Sequence, residues 1–564
     1  MPSDLPPTEW TQAQTPAVAE GLIAAGFAPR LSRLLARRGV EDEAGARTFL
    51  DPSVDDLHDP FLLDGMEQAV GRLLAAAASA ETVVVVGDYD VDGISATALL
   101  VAVFKACGLS AVPVLPHRMR DGYGFQPQQV EVARDLGASV IVTADCGSHS
   151  LEAVQAATEA GVDVIITDHH LPGDEPIPAI AHINPHRKEC RYPFRDLSGA
   201  GLAFKLAMAV AERAERPTSA ELLLRIACLG TVADMVPLRG ENRTIASIGL
   251  RALPSTRSVG LKALMSVSGI SGPVRAGDVG FRLGPRINAA GRMDSPDKAL
   301  ELLLTRDPQE AAAIARQLDE WNTRRQRAEA QVVEEATALF EDVAELPAIL
   351  VAWRPDWHRG VVGIAAGRLS RRFHRPTILL SVENDLATGS GRSIEGVHLH
   401  DFLSPWKPRL ERFGGHSQAI GLTVSLNEME GIASEWRSSA SEWDSSLLTK
   451  RYRYEEDLTA SEVGDELLDE VGQLEPFGIG NPRPAFRLGP LTQAGELRRF
   501  GKDHIACRAR DDGGAEVGLL GWGWGDRADE LDGTFEALGT VIRDRYTQRA
   551  IVEIVDVRPH RPDA

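Results

Sequence analysis

From Glu81 onward, short β-branched runs alternate with helix-like stretches, and no other feature constrains the fold of this chain as tightly. TVVVVG is followed by ATALLVAVFKACG, AVPVL by QVEVARDLG and SVIVTA by SLEAVQAATEAG, after which comes DVIIT. Runs that are apolar throughout suit strands buried on both faces, so the pattern predicts βαβ units and a parallel sheet with helices on both faces. In such a sheet ligands bind beyond the carboxyl ends of the strands. The residues there are nearly all metal-ligand types. VVVVG runs into Asp88, Tyr89, Asp90, Val91, Asp92 and Gly93, SVIVTA into Asp145, Cys146 and Gly147, and DVIIT into Asp168, His169 and His170. Asp234, in GTVADMVP, follows the apolar segment LLLRIACLG.

Carboxylates gathered in one place repel unless cations neutralise them, and a mixed oxygen and imidazole shell favours manganese, magnesium or zinc over calcium. Two divalent ions sharing a bridging carboxylate would need about this many ligands, and such a pair generates hydroxide and stabilises both oxygens of an in-line displacement at phosphorus. Plainer readings compete. DxDxDG alone looks like a calcium loop, yet it lacks the Glu a dozen residues on, and its carboxylates would serve equally as helix caps. A single Asp after a strand, such as Asp145, is more commonly a turn residue. Four such segments in order, one with a His169-His170 pair that packing does not explain, favour the metal reading.

At 564 residues the chain is expected to hold several domains. Residues 1–60 read as an N-terminal extension of short Arg/Leu/Ala-rich helices without recognisable chemistry, and residues 61–306 hold the strand-end acids. Asp307 and Pro308 look like an N-cap and N1 pair opening one long connecting helix, 307–343. A smaller α/β region, 344–450, has AILVAW and TILLS around GVVGIAAGRLSRRF. The tail, 451–564, ends in the alternating runs AEVGLLGW, TFEALGTVI and RAIVEIVDVRP and reads as a small β-barrel.

With 60 basic against 81 acidic residues, the chain is not one that coats itself in nucleic acid through a global positive field. A polyanion would have to meet a metal centre or a local basic track. The cluster Arg368, Arg371, Arg372 and Arg375 fits either such a track or an ordinary solvated helix face. Five scattered cysteines with no CxxC pair suggest neither a zinc knuckle nor a disulfide framework, and a reducing cytoplasm fits. No signal-peptide pattern opens the sequence and no apolar run approaches the ~20 residues that span a bilayer, so no membrane association is expected.

GDYDVDG, TADCG, TDHH and GTVADMVPL together resemble the four motifs of the DHH phosphoesterases, in that family's order. The resemblance implies that Asp88 and Asp90 hold a first metal, Asp92, His169 and Asp234 a second, and that Asp145 bridges them. Mn2+ or Mg2+ would be the two cofactors. Asp168 would support the site from behind and His170 would lie near the scissile phosphate, as the catalytic pair. SGRSIEGVHLHDFL, with Ser390, Arg392 and Ser393, and RFGGHSQAIGLTV, with Gly414, Gly415 and His416, resemble the DHH-associated domain that binds substrate phosphate. Ile420 departs from that pattern, which usually has a small residue there. HRMRDGYGF, with Arg118 and Tyr123, and FRLGPRINAAGRM, with Arg286, Asn288 and Arg292, are similar to signatures of the RecJ exonuclease branch, whose oligonucleotide-binding (OB) barrel LEPFGIGNPRPAF and the tail resemble.

This likeness implies an α/β fold: a parallel-sheet DHH domain, a long helix, a smaller DHH-associated domain and an OB-like barrel. It implies 5′→3′ exonuclease action on single-stranded DNA, releasing 5′-mononucleotides in repair and recombination. Arg118, Arg286, Asn288, Ser390, Arg392, Ser393, Gly415 and His416 would contact substrate. Single-stranded-DNA-binding protein and a RecQ-type helicase are partners by analogy. Two rivals stay open: a DHH hydrolase of cyclic dinucleotides or short RNA, which the extra barrel disfavours, and a silent DNA-binding scaffold, which the retained ligands disfavour.

Overall fold

The computed structural model describes residues 7–117, 122, 124–216, 218–341, 343 and 345–560. Arg118 and Tyr123 lie outside them. The described chain divides into two compact units, one drawn from Gln12–Gly291, Ser295–Gln317 and Arg453–Ala564, the other from Met1–Thr11, Arg292–Asp294 and Leu318–Tyr452.

The larger unit is built on a five-stranded parallel sheet in the order Ser110–Val114, Thr82–Gly87, Ala138–Ala144, Asp163–Thr167, Ala181–Ile183. Each strand alternates its side chains between two covered faces. Val84, Val86, Ile141, Val164 and Ile166 pack under the helices Pro127–Asp135 and Leu151–Glu159. On the opposite face lies the helix Val91–Ala106, buried along almost its whole length beneath Gly199–Arg213 and Ala220–Ala233. A helix covered on every side must be apolar all round, as IxATALLVAVF is.

The tail of the same unit is a barrel. Ala485–Gln493, Thr534–Arg543, Ala550–Pro559, Glu516–Trp522 and His504–Asp511 pair in turn, and the last returns to the first through Leu491↔Asp511, Thr492↔Arg510 and Gln493↔Ala509. Closure leaves these five strands without a free edge. Phe486, Leu488, Ile505, Leu519, Phe535, Val541 and Val552 fill the interior.

The short N-terminal helices pack into this unit. Leu22, Leu31, Leu34, Leu35, Val40, Ala46 and Phe49 share a core with Leu474, at the threshold of the barrel. Arginines on one side of the helix Pro29–Ala36 and just past it pair with acids of the barrel segment: Arg30 with Glu456, Glu462 and Glu470, Arg33 with Glu456, Arg37 with Glu455.

The smaller unit contains a five-stranded mixed sheet, in the order Arg412–Gly415, Ala419–Ser425, Leu386–Arg392, Thr377–Glu383, Leu350–Arg354. Only the last two strands are parallel, joined through the helix Val362–Phe373. The helix Pro308–Glu341 runs without interruption for 34 residues. Asp307 caps it, accepting the Gln309 N–H at 2.8 Å. Its buried positions Ala311, Ile314, Leu318, Trp321, Val332, Ala336 and Phe340 recur at helical spacing. No helix among the described residues is long and apolar enough to cross a membrane.

Candidate metal centre

The carboxyl ends of the three central strands bring the acids together. Asp88 follows the strand Thr82–Gly87, Asp145 follows Ala138–Ala144, and Asp168 with His169 follows Asp163–Thr167. Asp234 arrives from elsewhere, at the C-terminal end of the helix Ala220–Ala233. Ligand atoms of Asp88, Asp90 and Asp145 lie within 4.8 Å of one another, and so do those of Asp92, His169 and Asp234. A third grouping at the same limit, Asp145, His169 and His170, ties Asp145 to the second set.

Backbone N–H groups hold several of these side chains. Asp90 caps the helix Val91–Ala106, accepting from the N–H groups of Asp92 at 2.9 Å and Gly93 at 3.1 Å. Asp88 accepts from Tyr89 N–H at 2.7 Å. Asp92 receives two N–H groups from the first turn of the helix Gly199–Arg213, Gly199 at 2.7 Å and Ala200 at 2.8 Å. Positive helix termini attract carboxylates in this way. Space is reserved as well: a Cβ on Gly230 would come 2.2 Å from Asp92 Oδ1, and one on Gly199 would come 2.4 Å from Asp145 Oδ1.

The electrostatics are those of a site awaiting positive charge. Burial, then Asp92, Asp90, Asp234 and Asp88, hold the Asp145 carboxyl well above its usual range. Burial and Asp90 push Asp92 up to about 7, and burial with Asp92 and Asp90 pushes Asp234 up to about 9. His169 goes the other way: burial, then the neighbouring His170, lower it to about 4, so its ring is neutral. Its Nε2 and Asp145 Oδ1 are both buried without a hydrogen bond among the described residues, although they are 3.2 Å apart. Orphaned atoms of this kind are costly unless something fills the space between them. Carboxylate oxygens with one neutral imidazole form a donor set that fits divalent cations.

Asp168 has a different task. Its Oδ2 accepts the Ser148 N–H at 2.8 Å, and its Oδ1 lies 2.7 Å from His170 Nδ1. Burial alone would raise its pKa, but the His170 hydrogen bond and charge, His169 and the Ser148 N–H outweigh that and hold it well below the usual range. In return, although burial opposes it, Asp168 with the more distant Asp234 and Asp88 raises His170 to about 9. The result is an imidazolium whose Nδ1–H is committed to Asp168. Asn184, fully buried, steadies this pair by donating to Ser148 Oγ and to the His170 carbonyl, both at 2.8 Å. Neither Ser148 nor Asn184 has a sequence signature of its own. The Gly199–Arg213 helix start did carry one, a Ser-Gly-Ala-Gly opening in which Ser198 caps Gly201.

The expected substrate residues take varied places. Asn288 accepts the Val91 N–H at 3.2 Å, so it braces the acidic loop. Arg286 donates to the carbonyls of Arg282 and Val267. In the smaller unit, Ser390 donates to the Ile420 carbonyl at 2.8 Å, and Arg392 donates to Ser390 Oγ at 2.5 Å. Ser393 closes a turn through the Val397 carbonyl. Gly415 has φ +132 and sits so close to Ala419 that a Cβ would meet that carbonyl oxygen at 2.3 Å. His416 beside it is exposed. Of the arginine cluster, Arg368 pairs with buried Glu329 and Arg372 with Glu341, while Arg375 donates to the carbonyls of His374 and Leu448. Three of its four members are thus engaged within the unit.

Comparison with known proteins agrees with this architecture. The model described as the DHH family, N-terminal domain, matches residues 82–231, the DHHA1 domain residues 346–441 and the RecJ OB domain residues 454–555. The single-stranded-DNA-specific exonuclease RecJ of Salmonella typhimurium is 37% identical over 520 residues, covering 88% of this chain and 89% of that relative. The protein of the same name from Bacillus subtilis is 35% identical over 88% of this chain, which spans only 63% of that longer relative. Among solved structures, RecJ from Thermus thermophilus in complex with Mn2+ superposes with a TM-score of 0.84 at 30% identity, covering 99% of this chain and 80% of that one.

Proposed function

This chain belongs to the RecJ family, and from that premise we propose that it is a divalent-metal-dependent exonuclease that degrades single-stranded DNA from the 5′ end and releases 5′-mononucleotides. The observation that carries the reading is the pair of ligand groups, Asp88–Asp90–Asp145 and Asp92–His169–Asp234, joined through Asp145. We assign the first group to one cation and the second to another, with Asp145 between them and Mn2+ or Mg2+ as the occupants. Bound there, the cations would supply the hydroxide and offset the negative charge at phosphorus.

The side chains of the protein do the rest. His170, cationic at neutral pH and held by Asp168, offers one N–H to a phosphate oxygen. Neutral His169 keeps a lone pair available, and the buried walls around Asp92 and Asp145 exclude bulk water, which strengthens every charge contact. We assign Ser390, Arg392, Ser393, Gly415 and His416 to phosphates of the strand, with Arg392 at its terminal 5′ phosphate, and Arg286 and Asn288 of the larger unit to substrate as well. A planar Arg fork separates a terminal monoester from an internal diester by its extra charge and oxygen. The barrel would follow the strand through phosphate contacts and stacking. We place the domain limits at 61–306, 344–450 and 451–564, and the enzyme in the cytoplasm, serving repair and recombination beside single-stranded-DNA-binding protein and a RecQ-type helicase.

The test uses 5′-labelled and 3′-labelled single strands, a duplex and a cyclic dinucleotide, each with Mn2+, Mg2+ or a chelator. Mononucleotides should appear first from the 5′ end of the single strand, and only with metal. Preferential hydrolysis of the cyclic dinucleotide, or no cleavage of any substrate, would replace this reading with one of its rivals.

A further inference from the structure

We infer that the loop Leu474–Asn481, which leads into the barrel, is a positioning element for Asp234. The inference rests on the assignment of Asp234 to a metal. Asp88, Asp90 and Asp92 each have a carboxylate anchored by backbone N–H groups, whereas no hydrogen bond anchors the Asp234 carboxylate among the described residues. Its place is therefore set by its backbone. That backbone leaves the helix Ala220–Ala233 through Met235, at φ +60, and gains its next firm hold at Pro237 and Leu238.

Asn242 contributes to that hold, its side-chain amide donating to the Pro237 carbonyl at 3.2 Å, and the rest comes from the loop. The Leu238 N–H donates to the Ile479 carbonyl at 2.7 Å. Gly480, at φ +74, lies against Pro237 so closely that a Cβ would stand 3.0 Å from the proline Cβ, and a Cβ on Gly478 would stand 2.7 Å from Leu238 Cδ1. The loop is itself braced. Gly478 and Asn481 exchange backbone hydrogen bonds at 3.0 and 3.1 Å, and Asn481 Nδ2 donates to the carbonyls of Leu474 and Pro476, both at 2.8 Å. Arg243 grips it from the helix Gly240–Ala252 through the carbonyls of Leu474 and Glu475, and Arg38 from the N-terminal helices through Asn481 Oδ1. A braced loop at Leu238 fixes the end of a five-residue span whose start carries Asp234. The segment that introduces the barrel thereby enters the metal site indirectly.

The test is Mn2+ binding to the full-length protein, followed by calorimetry and by electron paramagnetic resonance. Wild type should show two sites. Gly480→Ala, which strains the left-handed backbone and crowds Pro237, should weaken one site by about tenfold and leave the other unchanged, the size expected when a support of a ligand is disturbed. On a trinucleotide it should lower kcat with little change in KM. Asn481→Ala, which frees the loop from within, should weaken the same site. Leu519→Ala, in the barrel core, gives a comparably destabilised protein in which both sites should persist. Asp234→Asn identifies the affected site. Unchanged binding in both loop variants overturns the inference, as does equal weakening of both sites, or the same loss in Leu519→Ala. Should Gly480→Ala not fold, Asn481→Ala decides by the same criteria. If Asp234→Asn itself keeps two normal sites, the metal assignment has failed, and that result is separate from any effect of the loop.

Discussion

Two regions of the larger unit bury charge, and they do so in opposite ways. At the sheet ends, Asp88, Asp92 and Asp145 crowd together as like charges, with Asp145 Oδ1 and His169 Nε2 left without hydrogen bonds. Some distance along the chain, Glu241 is just as buried but fully answered: Lys205 Nζ lies at 2.5 Å, Tyr192 Oη–H donates at 2.7 Å and the His58 N–H donates at 2.9 Å. Arg243 nearby has no carboxylate partner among the described residues, yet gives its N–H groups to the carbonyls of Phe49, Leu474 and Glu475. A buried charge whose partners come from the protein belongs to the fold. One whose partners are missing belongs to a ligand.

The sharpest way to break this contrast is to remove one charge from each region. Asp145→Asn should cost cleavage about a thousandfold or more, because a neutral amide cannot serve two cations, while the fold persists. Near-normal turnover at saturating Mn2+ would dissolve the two-metal assignment. Glu241→Ala should do the reverse. It strands Lys205 and Tyr192 in the interior, so denaturant unfolding should report a loss of about 3–5 kcal/mol with unchanged turnover per folded molecule. A loss below about 1 kcal/mol would mean that the network is ornamental.

A smaller effect comes from the acids themselves. With no cation to answer them, burial and mutual repulsion push Asp92 up to about 7 and Asp234 up to about 9, against 3.8 for an ordinary side chain. Folded values raised above unfolded ones favour the protonated fold, so this stability is full below the unfolded value and declines as pH rises through the folded ones. Cations replace those protons. At a concentration a hundred times its Kd at pH 8.5, Mn2+ should therefore stabilise the fold by about 2.7 kcal/mol near pH 8.5, and the same concentration should raise Tm less near pH 6. An equal shift at both pH values would place the bound cation elsewhere. Smallest is Arg392→Ala, which should reduce initial rates more on a 5′-phosphorylated strand than on its 5′-hydroxyl counterpart, by about 1.5–3 kcal/mol. The same factor on both would make Arg392 a general backbone contact.

The acidic crest was legible because a parallel sheet dictates where its functional residues lie, and the strands themselves announce the sheet. The barrel was legible from the alternation in EVGLLGW and its neighbours, since a closed sheet with one solvated face must alternate. Other features had no pattern to reveal them. The sequence marks Asn288 only as a candidate substrate contact, and its bond to the Val91 N–H, 197 residues away, has no pattern to announce it. Ser148 and Asn184 are small polar residues that gain meaning only once Asp168 and His170 are beside them. Arg30 and the arginines of LSRLLARRGV carried no visible chemistry because their partners, Glu455, Glu456, Glu462 and Glu470, lie far along the chain.

That last separation has a temporal side. Arg30 and Glu456 are 426 residues apart. A ribosome adding about 5–20 residues per second needs roughly 20 to 90 s to supply the second after the first. Until then Leu31, Leu34 and Leu35 wait without Leu474, the residue that completes their core. The nascent chain therefore carries an unfinished apolar cluster through most of its synthesis, and demand for chaperones should concentrate at its leading end.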